Sequence, residues 1–205
     1  MHAAKDRPFA GNGDNILIDS HVHYDDEKFD QDRDAILKKC AEEGVTHIIN
    51  AGTDVKTSEI SVSLAGRYPF VYAAVGVHPH ETSGLDNDAV EKIKTLALKK
   101  KVVAIGEIGL DYHYDFSPKE VQKEWFAEQI ALARALKLPI VIHDRESHQD
   151  ILDIVKAEKG FETGGVFHCF SGSKEMAREV MSLGFKIGIG GSVTFKKARK
   201  RIAPI

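Results

Sequence analysis

The sequence predicts an α/β fold built on a parallel sheet, open or closed into a (β/α) barrel, on three observations. Short runs rich in Val and Ile recur along the chain, apolar at nearly every position and bounded by Gly or polar residues. That pattern marks strands buried on both faces, as in a parallel sheet. Longer amphipathic segments lie between the runs, and strictly alternating strand and helix implies parallel strands joined by crossover helices. The third observation is size. With 205 residues the chain is long enough for one large core and too short for two comfortable domains.

The runs, in order, are Ile16–Asp19, His47–Ala51, Val71–Val77, Val102–Gly106, Pro139–His143, Gly165–Cys169 and Phe185–Ile189. A helix is predicted over Asp32–Glu43, where Ala35, Ile36, Lys39 and Cys40 share helical spacing and Gly44 supplies the stop. A long helix follows Ser117, read as its N-cap, with Pro118 at the first helical position and Glu120 three residues beyond the cap. Lys174–Leu183 is another helix, stopped by Gly184. A closed eight-stranded barrel typically takes about 250 residues. Seven strands are visible here, so an eighth strand and its helix are expected to be missing. Residues 1–15 are read as a mobile leader, and residues 16–205 as a single barrel domain truncated at its C-terminal end.

Composition excludes several classes. The formal net charge of −3 gives no global basic field, so any nucleic-acid contact must rest on local charges or metals. Cys40 and Cys169 are the only cysteines, which argues against a disulfide framework and for a cytoplasmic setting. No apolar run approaches the roughly 20 residues of a membrane span. Residues 1–15 lack the apolar region of a signal peptide. No obligate protein partner is evident.

Four predicted strands end in metal-ligand residue types. The first runs Asp19-Ser20-His21-Val22-His23, and residues two apart on a strand point the same way, so both imidazoles share a face. Glu107 follows the fourth run, His143 ends the fifth and His168 lies in the sixth. In a parallel barrel the carboxyl ends of the strands converge on one rim, where active sites are built. Four neutral imidazoles and one carboxylate make a nitrogen- and oxygen-rich site for Zn²⁺, Mn²⁺ or a similar divalent ion. A single strand histidine is more often structural than a ligand. Glu107 weighs more, because a buried carboxylate without a cationic partner costs several kcal/mol or neutralises.

These residues resemble the TatD-related DNase family. Asp19-Ser20-His21-Val22-His23 looks like its opening motif. Gly76-Val77-His78-Pro79-His80, Gly106-Glu107-Ile108-Gly109-Leu110-Asp111, His143-Asp144-Arg145 and Phe167-His168-Cys169-Phe170-Ser171-Gly172 resemble its later motifs in order, and Gly188–Gly191 its seventh-strand segment. The resemblance implies a TIM-type barrel of the metal-dependent hydrolase kind, cutting phosphodiester bonds of DNA or RNA with water activated by two divalent ions (Zn, Mn, Mg or similar). It places one ion on His21 and His23, the other on His143 and His168, and catalytic Glu107 across both. The family supplies a further Asp from its eighth strand, and no Asp follows Asp153 here. The ion at His21 and His23 is therefore expected to be weakened.

Other residues receive expectations weighed against blander ones. Asp19 is read as orienting a ligand imidazole from behind, or as a turn carboxylate. His78, His80 and Arg145 are read as substrate contacts, against plain loop histidines and a surface ion pair of Arg145 with Asp144 or Glu146. Asp111 and Tyr112 are placed in the loop after Glu107, Tyr112 read as loop packing against a base-stacking role, and Cys169 is read as a small buried residue turned away from the site. The basic run Lys196–Arg201 is read as a solvated helix face, in preference to a track for a phosphate backbone. Rival functions are hydrolysis of an aminoacyl-tRNA or other ester at the same site, and an inactive remnant. An amidohydrolase is disfavoured because Glu107 stands where a carbamylated Lys is common. A dinucleotide-binding fold is disfavoured because Gly-x-Gly-x-x-Gly does not follow the first strand.

Overall fold

The computed structural model describes residues 17–114 and 116–195. The expected leader and the basic run Lys196–Arg201 lie outside the described residues. Seven parallel strands form one sheet in consecutive order: β1 (Leu17–Val22), β2 (Val45–Ala51), β3 (Val71–Val75), β4 (Val102–Asp111), β5 (Ile140–Arg145), β6 (Gly165–Phe167) and β7 (Lys186–Ile187). Helices α1 (Arg33–Glu42), α2 (Val55–Arg67), α3 (Asn87–Ala97), α4 (Lys119–Leu136), α5 (His148–Ala157) and α6 (Lys174–Ser182) make the crossovers. Consecutive order with one helix per crossover is the winding of a (β/α) barrel, here with seven strands among the described residues.

The sheet is curled. His21 on β1 and His168 just past β6 stack with ring centroids 3.8 Å apart. Five strand spacings of about 4.8 Å would hold them about 24 Å apart on a flat sheet. The contact therefore brings the carboxyl ends of β1 and β6 around one mouth.

The core lies between the sheet and its helices. Ile105, Ile108, Leu110, Ile140 and Ile142 from the central strands are fully buried against Phe126, Ile130 and Ala133 of α4 and Ile151 and Val155 of α5. On α4 the buried positions 122, 126, 129, 130 and 133 follow helical spacing, which lays one stripe against the sheet. Gly44 at φ 92° ends α1 as anticipated, because the left-handed conformation costs glycine no Cβ clash.

Three sequence expectations are corrected at element ends. Strand β4 does not stop at Gly106 but continues to Asp111, so Glu107 sits inside it. Gly109 makes this possible. At φ 141° a Cβ there would stand 2.0 Å from the His143 carbonyl oxygen, so only glycine lets β4 and β5 run this close. Ser117 does not cap α4: Pro118 holds that position, and the Ser117 hydroxyl instead donates to the His80 carbonyl at 2.9 Å and accepts from the Ser83 N–H at 3.1 Å. Cys169 is exposed rather than packed inside. Strand β6 ends at Phe167 and Cys169 takes φ 44°, so the strand alternation that turns it away from the site does not extend to it.

Candidate metal centre

Glu107 is the centre of the site and is 3% exposed. Its two oxygens face different imidazole pairs. Oε2 lies 3.4 Å from His21 Nε2 and 3.3 Å from His23 Nε2, and those two nitrogens are 3.0 Å apart. Oε1 lies 2.9 Å from His143 Nδ1 and 2.5 Å from His168 Nε2, which are 3.3 Å from each other. The structure thus brings together all five residues singled out from the strand ends. Burial pushes the Glu107 carboxyl up, but the ring nitrogens of His143, His168, His21 and His23 gathered around it outweigh that and hold it well below the usual carboxylate range.

For His23 and His143, partners on the far side of the ring decide which nitrogen has a lone pair to offer. His23 Nδ1 lies 2.9 Å from the Ala51 carbonyl oxygen, which can only accept, so Nδ1 carries the proton and Nε2 is free. His143 Nε2 lies 3.0 Å from Asp111 Oδ2, which in the same way leaves Nδ1 free toward Glu107. A lone pair and a carboxylate facing each other at 2.9 Å repel unless a proton or a cation sits between them. These donors fit divalent ions of the zinc or manganese type, which take imidazole and carboxylate together.

Asp111 is the residue that sequence reasoning underrated. It is 1% exposed and ends β4. Its Oδ2 meets both His143 Nε2 (3.0 Å) and His80 Nε2 (2.9 Å), and its Oδ1 accepts the N–H groups of His113 (2.9 Å) and Tyr114 (3.1 Å). A carboxylate behind a ligand imidazole fixes its tautomer and orientation. The signal was present, since Glu107, Gly109 and Asp111 are two apart and share one face of a strand once β4 is allowed its full length.

The remaining candidates divide. His78 is buried and lies within the cluster, its Nε2 3.8 Å from Glu107 Oε1. Its Nδ1 accepts the His80 N–H at 3.2 Å, which assigns the proton to Nε2 and makes it a donor toward the cluster. Burial, opposed by the Glu107 charge, lowers His78 to about 3 and keeps it neutral. His80 is half-buried at the edge of the site, on Asp111. Asp19 is exposed and accepts only the backbone N–H of His21, at 3.3 Å. It lies within β1, whose pairing with β2 is irregular between Asp19 and Val22, so plain strand alternation does not carry it to the face of the imidazoles. Among the described residues neither Asp144 nor Glu146 pairs with Arg145: Asp144 holds His148 and Glu146 holds His113. Arg145 lies instead over the Tyr114 ring, 4.7 Å from its centroid. Tyr112 is packed, its hydroxyl donating to Asp150 at 2.6 Å.

A curled parallel sheet with imidazoles and a carboxylate converging at its carboxyl ends defines a metal-dependent hydrolase of the barrel type. The family model for TatD related DNase matches residues 18–204, and the chain belongs to that family. It is 43% identical over 185 residues to the uncharacterized metal-dependent hydrolase YabD of Bacillus subtilis, covering 90% of this chain and 72% of that protein. It is 35% identical over 177 residues to the 3'-5' ssDNA/RNA exonuclease TatD of Cronobacter sakazakii, covering 86% and 67%. The crystal structure of the TatD homolog YjjV from Escherichia coli K12 superposes with a TM-score of 0.85 at 36% identity, covering 92% of this chain and 74% of that one. Among the described residues no helix is long and apolar enough to cross a membrane.

Proposed function

We propose that the chain hydrolyses phosphodiester bonds of DNA or RNA, with two divalent ions held side by side at the cluster. The observation that carries this reading is the split of Glu107, one oxygen toward His21 and His23 and the other toward His143 and His168. A carboxylate so placed suits a bridge between two cations. Bound divalent ions supply Lewis acidity at the phosphoryl oxygens and bring the pKa of water toward neutrality.

The protein's own residues do the rest. Glu107 and the four imidazoles fix position and charge, and Asp111 holds His143 in its ligand tautomer. His78 would turn its Nε2–H toward the reacting groups, and Arg145, exposed on the rim, would meet a phosphate oxygen. Support for the substrate class comes from relatives named as ssDNA/RNA exonucleases. A cytoplasmic location agrees with two free cysteines.

The test is hydrolysis of a single-stranded oligonucleotide by the 205-residue chain with Mn²⁺, with EDTA, and with Glu107→Ala. Cleavage that needs the metal and drops by about three decades in the variant is expected, since the loss of charge stabilisation at the reacting phosphate is of that order. Cleavage of a carboxylic ester but of no phosphodiester would reject the proposal.

A further inference from the structure

Beside the cluster stands an exposed aromatic group. Tyr114 is 42% and Phe116 64% exposed, and their rings stack with centroids 5.5 Å apart and planes 22° off parallel. Arg145 lies over Tyr114. His80 sets its edge against both rings, at 4.8 Å from Phe116 and 5.5 Å from Tyr114. Scattered exposed apolar residues need no explanation, but a stacked pair at the mouth of a site does.

The group is built into the site. Asp111 takes the Tyr114 N–H on one oxygen, and His80 and His143 on the other. On the far side the Ser83 hydroxyl donates to the Phe116 carbonyl at 3.4 Å, and Ser117 bonds to both His80 and Ser83. The rings are thus one side chain from the cluster and held by its own hydrogen bonds. Charge gives the direction of approach. On the opposite side of the mouth an open cavity of about 640 Å³ is lined by His23, Asp25, Asp26, Asp54 and Lys56, where carboxylates predominate and repel a phosphate chain. The side of Tyr114 and Phe116 carries the Arg145 guanidinium, and the carboxylates next to it are taken up, Asp144 by His148 and Glu146 by His113.

We infer that Tyr114 and Phe116, flanked by Arg145, form a base-stacking platform that seats a nucleobase of a single-stranded nucleic acid next to the metal centre. The inference rests on the proposed phosphodiesterase reading and adds to it the way the substrate is held. Stacking on aromatic rings accepts any base, because every base has a π-face, and an adjacent guanidinium contributes to the neighbouring phosphate. Paired bases are already stacked inside a duplex, so the platform selects single strands.

The test compares binding of the 205-residue chain to a fluorescent oligo-dT ten-mer and to a ten-mer of abasic residues, by anisotropy in EDTA. Both carry the same phosphates, and only the first carries bases. The native chain is expected to prefer oligo-dT by about fivefold or more, the lower end of stacking on one base. The Tyr114→Ala/Phe116→Ala double variant should lose that preference, and Tyr114→Trp/Phe116→Trp should keep it, with circular dichroism confirming the fold of each. Equal binding of the two ten-mers by the native chain, or a preference that survives in the double alanine variant, would overturn the platform. Hydrolysis of methyl p-nitrophenyl phosphate by the native chain with Mn²⁺ reports separately on the phosphodiesterase reading, since that substrate has no base to seat. Its absence alongside a lost preference in the alanine variant would remove the catalysis and leave the platform standing.

Discussion

Asp111 shows how a single side chain can organise a site without belonging to the ligand set. Four hydrogen bonds converge on it, two from ring nitrogens and two from loop amides. Asp111→Asn keeps the shape but cannot accept on both sides, so metal affinity is expected to fall about 10- to 100-fold with the fold intact. Titration of the metal-free chain with Zn²⁺ checks this, and unchanged affinity would deny Asp111 its orienting part. His21, His23, Glu107, His143 and His168 were legible because ligand residue types at strand ends must meet in a parallel barrel. Asp111 was not, because an apolar run that seems to stop at Gly106 hides a strand five residues longer. Cys169 was misread for the opposite reason: a strand that ends at Phe167 lost its alternation sooner than expected. Removing Glu107 is expected to empty both halves of the cluster, whereas His21→Ala should spare the half held by His143 and His168. Equal metal loss in the two variants would contradict that division.

At the scale of elements, α4 clamps two strand ends. Gln129 Oε1 accepts the Val77 N–H at 2.7 Å while its Nε2 donates to the Val77 carbonyl at 3.0 Å. Gln122 treats Asp111 in the same way, accepting its N–H at 2.9 Å and donating to its carbonyl at 3.1 Å. Seven residues apart, the two glutamines share one face of the helix and hold the ends that carry Asp111 and His78. That spacing was visible in the sequence, but a polar residue on a helix face is usually solvated, and only burial distinguishes these two. Gln122→Leu would leave the buried Asp111 N–H unsatisfied and is expected to cost about 1–3 kcal/mol in denaturant unfolding. Gly109→Ala should cost a similar amount, about 1–3 kcal/mol, because the new methyl meets the His143 backbone. At the start of α5, the Asp144 hydrogen bond raises His148 above its usual value against partial burial. A raised histidine stabilises the fold below its unfolded pKa of about 6.5 and stops doing so as pH rises through the folded value. His148→Gln should therefore lower stability at pH 5.5 by more than at pH 9, by about 0.5 kcal/mol or less given its exposure.

For the whole molecule, alternating apolar runs and amphipathic helices were enough to read seven parallel strands in consecutive order, because each strand is buried on both faces and each crossover needs a helix. The curl of the sheet was not readable from any one segment. It appears only when His21 stacks on His168 across five strands, and it is what turns residues distant in the chain into one cluster. Membership of the TatD related DNase family agrees with that arrangement. The central claim is that this cluster holds metal through Glu107. Elemental analysis of the purified chain and of Glu107→Ala, each shown to be folded by circular dichroism, tests it most directly. The account predicts at least one divalent ion per folded chain, held by Glu107, His143 and His168, and its loss from the variant. A folded native chain that takes up no ion, or a variant that retains as much as the native chain, would contradict it.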